Sequence, residues 1–295
     1  MNASFGIDHP LIAVHDIEKL RAHLISIGFT MTAVGKHPWG TSTSLAMFDG
    51  CLLEIMSVYD DTLIDKLPAG DFRFGRHVHE HLQQREGIAL TALHSTDSEK
   101  DARRAESAGF TTAGHLEFGR EVLLPDGQKD RTKTTLALLP NSKWPRLSFF
   151  LCQQHRPELI YVPQWLRHAN SAYGICGISI MAGPTDHREL VETFAALYGT
   201  PRKLSGSYQL KTANGDLKIL SRQDIEADFG KLPNLVRQET LPAIVGMDFR
   251  YSSKKAMLEN LVTSGVDFEE HDGTFTLKHP EHTGNTFLRF HHQPT

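Results

Sequence analysis

The sequence has few cysteines and no dominant charge of either sign. Three cysteines occur among 295 residues, Cys51, Cys152 and Cys176, and no two of them form a CxxC pair. This excludes a disulfide framework and a cysteine zinc knuckle. The 31 Lys and Arg residues against 35 Asp and Glu residues give a formal charge of -4. Because no basic stripe is dense enough to hold a polyanion, we expect no nucleic-acid partner.

Long hydrophobic runs and secretory signals are also missing. No apolar run approaches the about 20 residues that a membrane span needs, and residues 1–10 lack the basic start and apolar stretch of a signal peptide. Phosphate-binding glycine loops, G-x-S-x-G elbows and dinucleotide fingerprints are absent where a strand would lead into a helix. We therefore expect a cytoplasmic protein with no membrane contact and no ATP or NAD chemistry.

The composition that is present is typical of a soluble globular protein. Hydrophobic residues make up 40% and charged residues 22% of the chain. The length is about twice that of a typical domain of roughly 100–150 residues, which favours two domains or an internal duplication. Seventeen histidines supply candidate metal ligands and bases.

One sequence pattern occurs four times: an apolar strand, a helix N-cap and a glycine that ends the helix. From the numbering, the cap-to-glycine separations are 12, 12, 13 and 12 residues. The four cap and glycine pairs are Asp16 with Gly28, Asp97 with Gly109, Asp186 with Gly199, and Ser253 with Gly265. Strand-like segments with turn signals follow each helix, at Asp49-Gly50, Pro125-Asp126-Gly127, Asn214-Gly215 and Asp272-Gly273.

These repeats predict an α+β fold of four βαβββ units, paired into two domains with curved mixed sheets and helices outside. The first domain would span residues 1–154, with units at 1–60 and 86–154. A linker at 155–172, marked by Pro157, Pro163, Gln164 and Asn170, would lead to the second domain. That domain would span 173–295, with units at 173–225 and 240–293.

Two residues interrupt the apolar pattern of the first unit. Alternation in the first strand places Ile7, His9, Leu11 and Ala13 on one face, so that His9 breaks an apolar row. Glu54 breaks the apolar run of the last strand, where an unpaired buried carboxylate would cost several kcal/mol. If the two strands are neighbours, imidazole and carboxylate meet and could bind a divalent transition metal. A buried ion pair between His9 and Glu54 is the alternative.

The unit shape, its doubling and these two positions resemble the vicinal oxygen chelate superfamily, and more narrowly its glyoxalase-like branch. The resemblance covers nearly the whole chain. The segments that carry it are Ile7-Asp8-His9, Asp16, Gly28-Phe29, His37-Pro38-Trp39-Gly40-Thr41, Leu52-Leu53-Glu54, Pro125-Asp126-Gly127, Phe149-Phe150 and His168-Ala169-Asn170.

The resemblance implies a divalent metal ion, Zn, Ni, Mn or Fe, held by the first and last strands of paired units. His9 and Glu54 match these ligand positions. The second unit matches less well, because Leu90 stands opposite His9 and its last strand offers only Cys152 or Gln153. His168 is the candidate third ligand and His37 the next. At the positions equivalent to His9, units three and four have Gly177 and Gly246, so we expect no metal in the second pair.

Six further residues complete the predicted site. His37 is a candidate base near a metal-bound substrate, with a surface loop histidine as the alternative. Cys152 is a second candidate catalytic residue, although buried apolar cysteines are usually inert. The predicted substrate-binding residues are Trp39, Thr41, Arg120 and Asn170. Trp39 could instead pack in the core, and Arg120 could be an ordinary exposed arginine.

A competing motif lies at His77-Val78-His79-Glu80-His81, which matches H-x-x-E-H of inverted zinc peptidases. Phe74, Val78 and Leu82 would form the buried stripe of this helix, leaving His77, Glu80 and His81 on the flanking or outer face. We therefore favour a solvated helix over a peptidase site.

By resemblance, the expected function is that of a metal-dependent enzyme acting on a small molecule by lyase, isomerase or oxygenase chemistry, with the ion as Lewis acid. The alternative is a non-catalytic protein of the same fold that binds or sequesters a small molecule. A homodimer is compatible with either function.

Overall fold

A computed structural model describes residues 5–204 and 206–294, and two eight-stranded mixed sheets account for most of their strands. The predicted α+β fold of four βαβββ units is confirmed. The strands of the first sheet lie within residues 7–154 and those of the second within 172–292. The proposed domain boundaries and the linker at 155–172 stay a prediction.

The first sheet is built from units one and two. Unit one contains β1 (Ile7–Ala13), α1 (Ile17–Ser26), β2 (Gly35–Lys36), β3 (Thr41–Phe48) and β4 (Cys51–Val58). A connecting helix, α2 (Phe74–Gln84), leads to unit two. Unit two contains β5 (Gly87–His94), α3 (Ser98–Ser107), β6 (Gly114–Phe118), β7 (Glu121–Leu123), β8 (Lys129–Arg131), β9 (Thr134–Leu139) and β10 (Phe149–Gln154).

The second sheet repeats this arrangement. Unit three contains β11 (Ala172–Met181), α4 (Pro184–Tyr198), β12 (Arg202–Lys203), β13 (Tyr208–Lys211) and β14 (Asp216–Leu220). Two connecting helices follow, α5 (Arg222–Phe229) and α6 (Asn234–Arg237). Unit four contains β15 (Ala243–Tyr251), α7 (Lys254–Ser264), β16 (Phe268–His271), β17 (Thr274–Leu277) and β18 (Phe287–His292). Short 3₁₀ turns occupy Asp61–Leu63, Pro145–Leu147, Pro157–Leu159 and Pro280–Thr283.

Strand order brings the first and last strands of each unit together. The first sheet runs β2-β3-β4-β1-β5-β10-β9-β6, and the second runs β12-β13-β14-β11-β15-β18-β17-β16. In the first sheet β1 pairs in parallel with β4 and antiparallel with β5, so the two units meet at the centre. Leu11 pairs with Glu54, which places the fourth strand beside His9 as expected.

Helix caps follow the predicted pattern in three of the four units. The side chains of Asp16, Asp97 and Ser253 each accept a backbone N–H three residues ahead. The prediction for Asp186 is wrong, because Gly183 is the N-cap of α4 and Asp186 lies in its first turn. Pro184 at the first helical position explains the earlier start, since its fixed φ suits a helix and its missing N–H needs no partner.

The apolar side chains form one shared core and separate cores on the concave faces. The outer helices of both halves contribute to the shared core, with Leu24 of α1, Phe194 of α4 and Leu261 of α7. On the concave face of the first sheet, α2 packs through Phe74, Val78 and Leu82. Helices α5 and α6 cover the equivalent face of the second sheet. In the described part of the chain, no helix is both long and apolar enough to cross a membrane.

Candidate functional site

A cavity of about 350 Å³ lies on the concave face of the first sheet. Its walls come from β1, β3, β4 and β10, from α2, and from the β7–β8 hairpin. Apolar side chains make up most of the lining, and they include Leu11, Trp39, Met56, Phe74, Phe118 and Phe150. The polar lining includes His9, His37, Glu54, Arg120 and Cys152. A concave apolar space with a few converging polar groups is typical of a small-molecule site.

His9 and Glu54 meet at the wall of this cavity. His9 Nε2 lies 3.2 Å from Glu54 Oε2, and both side chains are less than a tenth exposed. Thr43 Oγ1 donates a hydrogen bond of 2.5 Å to the other carboxylate oxygen of Glu54. This bond fixes the carboxylate so that Oε2 faces the imidazole.

Asp8 is a site residue that the sequence reasoning did not identify. Its Oδ1 lies 2.6 Å from His9 Nδ1, and its Oδ2 lies 3.4 Å from His94 Nε2. The register between β1 and β5 shifts between Ile7 and His9, and a bulge of this kind interrupts the alternation of side chains along a strand. The predicted row is therefore wrong at Ile7, which packs in the shared core while His9 and Leu11 line the cavity.

Two carboxylates dominate the electrostatics of His9. Burial alone would lower its pKa, but the charges of Asp8 and Glu54 and the hydrogen bond that His9 donates to Asp8 outweigh burial and raise the pKa above its ordinary value. Arg120 opposes them with a weaker, lowering effect. Without a metal, the three side chains Asp8, His9 and Glu54 form a buried ion-pair network.

Cys152 on β10 lies beside this network. Ligand atoms of Asp8, His9 and Cys152 fall within 4.8 Å of one another, and no other group of this kind occurs in residues 5–204 and 206–294. Burial, followed by the negative charges of Asp8 and Glu54, raises the pKa of the Cys152 thiol well above its ordinary value. Cys152 is therefore a protonated thiol at neutral pH, which does not favour a nucleophilic role.

His37 and Trp39 form an aromatic wall. Their rings stack with centroids 4.6 Å apart, and the Phe118 ring meets both edge-on. His37 Nδ1 is hydrogen-bonded to Thr41 Oγ1 at 2.9 Å, so Thr41, which is fully buried, positions His37 rather than lining the cavity. Burial and the charge of Arg120 hold the pKa of His37 well below its ordinary value, so the ring is neutral.

Arg120 lies at the base of the β7–β8 hairpin, half-buried in the cavity wall. Its backbone N–H donates to Thr132 Oγ1 at 2.9 Å, and its carbonyl accepts from the Thr132 backbone N–H at 2.9 Å. The alternative of an ordinary exposed arginine is not observed.

His168 and Asn170 lie elsewhere. His168 Nδ1 accepts from the Thr30 backbone N–H at 2.9 Å, and Nε2 lies 2.9 Å from the Met47 carbonyl. Both ring nitrogens are thus engaged by backbone, and His168 does not join His9 and Glu54. Asn170 donates to the Ile27 carbonyl and accepts from the Ala172 backbone N–H, so it braces the chain between the sheets and is not part of the cavity lining.

The H-x-x-E-H segment does not form a metal site. His77 Nε2 lies 3.0 Å from the Ala89 carbonyl, and His81 is buried against Arg146 Nη1 at 2.8 Å. The prediction of a solvated helix is wrong at His81, which was expected on the flanking or outer face and is buried. Because a guanidinium cation contacts His81 while Glu80 is exposed, these residues cannot converge on an ion.

Solved structures with the same fold include the following three. A hypothetical protein from Staphylococcus aureus has a TM-score of 0.68 and 11% identity, covering 98% of this chain and 99% of that one. A mutant of 4-hydroxymandelate synthase from Streptomyces coelicolor has a TM-score of 0.61 and 13% identity, covering 98% of this chain and 92% of that one. A fusion of a xylose isomerase-like TIM barrel with 4-hydroxyphenylpyruvate dioxygenase has a TM-score of 0.57 and 12% identity, and the match covers 100% of this chain and 50% of the fusion protein. At these identities the likeness concerns the fold alone.

No curated protein matches the sequence. Residues 7–198, more than half of the chain, match the family described as a glyoxalase-like domain. This match agrees with the paired βαβββ units and with the cavity on the first sheet. The chain belongs to the glyoxalase-like domain family of the vicinal oxygen chelate superfamily.

Proposed function

We propose that this protein is a metal-dependent enzyme that converts a small organic molecule by lyase, isomerase or oxygenase chemistry in the cavity of the first sheet. The observation that carries the proposal is the approach of His9 Nε2 to Glu54 Oε2, 3.2 Å apart, at the wall of a cavity of about 350 Å³. Both groups are buried, and both face space that a ligand could fill.

The donor atoms fit a divalent ion. Metal–nitrogen and metal–oxygen bonds of roughly 2.0–2.2 Å at angles between square and tetrahedral place two ligand atoms about 2.8–3.6 Å apart. The separation of His9 Nε2 and Glu54 Oε2 falls in this range. Imidazole nitrogen, carboxylate oxygen and the sulfur of Cys152, which lies within 4.8 Å of ligand atoms of Asp8 and His9, suit Zn, Ni, Mn or Fe better than Mg or Ca.

The remaining residues divide the other tasks. A divalent ion bound by His9 and Glu54 supplies Lewis acidity toward substrate oxygen atoms. A neutral His37 whose Nδ1–H donates to Thr41 Oγ1 would present the lone pair of Nε2 to accept a proton from substrate. Phe74, Phe150 and Leu11 exclude water from the same space and so strengthen the electrostatic interactions within it.

One observation favours the alternative, a protein that binds a small molecule without metal or turnover. Asp8, His9 and Glu54 satisfy one another as an ion-pair network, with the pKa of His9 raised, so the fold does not need an ion to stabilise these charges. A metal can bind only if it displaces the proton from His9 Nε2.

Metal titration of the purified protein separates the two functions. We expect wild type to bind at least one of Zn²⁺, Ni²⁺, Mn²⁺ and Fe²⁺, measured by calorimetry and by elemental analysis after dialysis. His9→Ala and Glu54→Gln should each weaken binding by more than the roughly 10- to 100-fold effect typical of outer-shell partners. His168→Gln is the control and should bind as wild type does. Equal metal affinity in wild type and all variants contradicts the proposal. If wild type takes up no metal, the result favours the alternative, a protein that binds a small molecule without metal or turnover.

A further inference from the structure

We propose, resting on the function proposed above, that the substrate is a small carboxylate with an apolar, planar body, and that its carboxylate binds the guanidinium of Arg120. The bidentate geometry of a guanidinium matches that of a carboxylate.

Arg120 is the cation of the cavity wall that the protein leaves unpaired. Its guanidinium has no hydrogen bond or ion pair with any residue in 5–204 or 206–294, whereas His9 is held between Asp8 and Glu54. Burial lowers the pKa of Arg120, and the charge of Glu54 only partly opposes this effect. A half-buried guanidinium without a partner is costly unless a ligand supplies the oxygens.

The acidic side chains at or near the cavity do not form an ion pair with Arg120. Glu54 accepts from Thr43 and faces His9, and Asp8 lies behind His9. Glu121, next to Arg120 in the lining, is exposed to solvent. The two buried carboxylates would balance a divalent ion, so the charge of Arg120 remains for an anionic ligand.

Hydrogen bonds to Thr132 fix the backbone of Arg120. Thr132 clamps it through its hydroxyl and its N–H on the opposite arm of the hairpin. Nη1 comes near Gly35, where an added Cβ would lie 3.5 Å from it. The guanidinium therefore lies in the cavity wall near β2, on a backbone that the hairpin fixes.

The body of the ligand would lie along the aromatic wall. Phe118 is two residues before Arg120 and meets the stacked His37 and Trp39 rings edge-on. Phe74 and Phe150 continue the wall, with ring centroids 5.8 Å apart. Ring edges and faces at these distances favour a flat apolar group over a polar chain.

Binding of matched acids and amides tests this inference. The probes are benzoate, phenylacetate and 3-phenylpropionate, each paired with its amide, titrated into the full chain by calorimetry and ligand-observed NMR. We expect at least one acid to bind wild type more tightly than its amide. Arg120→Gln should weaken that acid by about 10- to 100-fold, as expected for loss of a charge-assisted hydrogen-bonded pair. Arg131→Gln, at an exposed arginine on the same hairpin, should bind as wild type does.

Three results would overturn the inference: acid and amide bind alike, Arg120→Gln binds the acid as tightly as wild type, or no acid binds. If Arg120→Gln does not fold, Arg120→Lys replaces it, and weaker acid binding is again expected because the ammonium lacks the planar fork. Metal uptake separates this inference from the proposed function. If the protein prefers the acid through Arg120 but binds no metal, the carboxylate site stands and the metal-dependent function is rejected. If the protein binds metal but shows no preference for the acid, the metal-dependent function stands and the carboxylate site is rejected.

Discussion

Asp8 determines which nitrogen of His9 can act as a ligand. Its Oδ1 lies 2.6 Å from Nδ1, so a neutral His9 keeps its proton there and presents the lone pair of Nε2 toward Glu54 and the cavity. Carboxylates in this position also raise the basicity of a ligating imidazole. Asp8 thus acts through His9, as a positioning residue.

We predict that Asp8→Asn weakens metal binding by about 10- to 100-fold while the protein stays folded, because the amide removes the charge behind His9. Calorimetric titration with Zn²⁺ and the urea unfolding midpoint measure the two effects. Asp49→Asn, at an exposed acid in the β3–β4 turn, is the control. Unchanged metal affinity in Asp8→Asn would show that Asp8 has no role in binding.

The residues of the site differ in how visible they are in the sequence. His9 and Glu54 are recognisable because each interrupts an apolar strand. Asp8 is hidden by strict alternation, which the bulge overrides. Pro10 was the available signal, since proline in a central strand marks a bulge. His168 could not be placed from sequence, because its backbone partners Thr30 and Met47 are distant in the chain.

Helix α2 forms one wall of the cavity and depends on a close backbone contact. A Cβ added to Gly75 would lie 2.2 Å from the Trp39 carbonyl oxygen and 2.8 Å from Ile64 Cα. The absence of a side chain there lets Phe74 reach the cavity beside Trp39.

We predict that Gly75→Ala destabilises the protein by about 1–3 kcal/mol through overpacking against backbone. The sign of the stability change is diagnostic, since Gly→Ala at an unobstructed position in a helix or strand stabilises by up to about 1 kcal/mol. Gly174→Ala, at a strand position of β11, is the control, because the nearest atom to its added Cβ is Cys51 Sγ at 3.8 Å. Urea unfolding of both variants is the measurement, and a Gly75→Ala protein as stable as wild type would refute the close contact.

Most elements follow from local sequence signals. The turns at Asp49-Gly50, Pro125-Asp126-Gly127, Asn214-Gly215 and Asp272-Gly273 each join two strands, as predicted. Unit two departs from the plan because β7 and β8 form a separate hairpin between β6 and β9. The βαβββ repeat does not predict this insertion, although it carries Arg120 to the cavity.

In the whole molecule, the second sheet has the symmetry of the first but a different polar centre. Leu11 pairs with Glu54 in the first sheet, and Ser179 pairs with Lys218 in the second, so Lys218 occupies the register position of Glu54. Its ammonium lies 2.9 Å from Asp248, which also accepts from Arg289 at 2.7 Å. Cations of the chain itself fill this centre, which argues against a metal there.

We predict that Asp248→Asn destabilises the protein by about 3–5 kcal/mol, because it removes the buried anion that pairs with both Lys218 and Arg289. Burial alone would raise the pKa of Asp248, but hydrogen bonds and charges from His291, Arg289 and Lys218 lower it below the ordinary value of 3.8. A lowered carboxyl pKa contributes stability above pH 3.8 that is lost as the pH falls further.

Urea unfolding between pH 2 and 7 measures this contribution. The wild type should lose stability below about pH 4 more steeply than Asp248→Asn. Asp228→Asn is the control, since Asp228 contacts the same Arg289 at 3.4 Å but is 47% exposed. Parallel pH curves for wild type and Asp248→Asn would contradict the assigned role of Asp248.

Anomalous X-ray diffraction from crystals loaded with Zn²⁺, Ni²⁺, Mn²⁺ or Fe²⁺ tests whether His9 and Glu54 hold a divalent ion. We predict one strong anomalous peak within about 2.0–2.2 Å of both His9 Nε2 and Glu54 Oε2, absent in Glu54→Gln crystals. A peak at His77 and His81, a peak in the second sheet, or no peak in the first cavity under loading would contradict it.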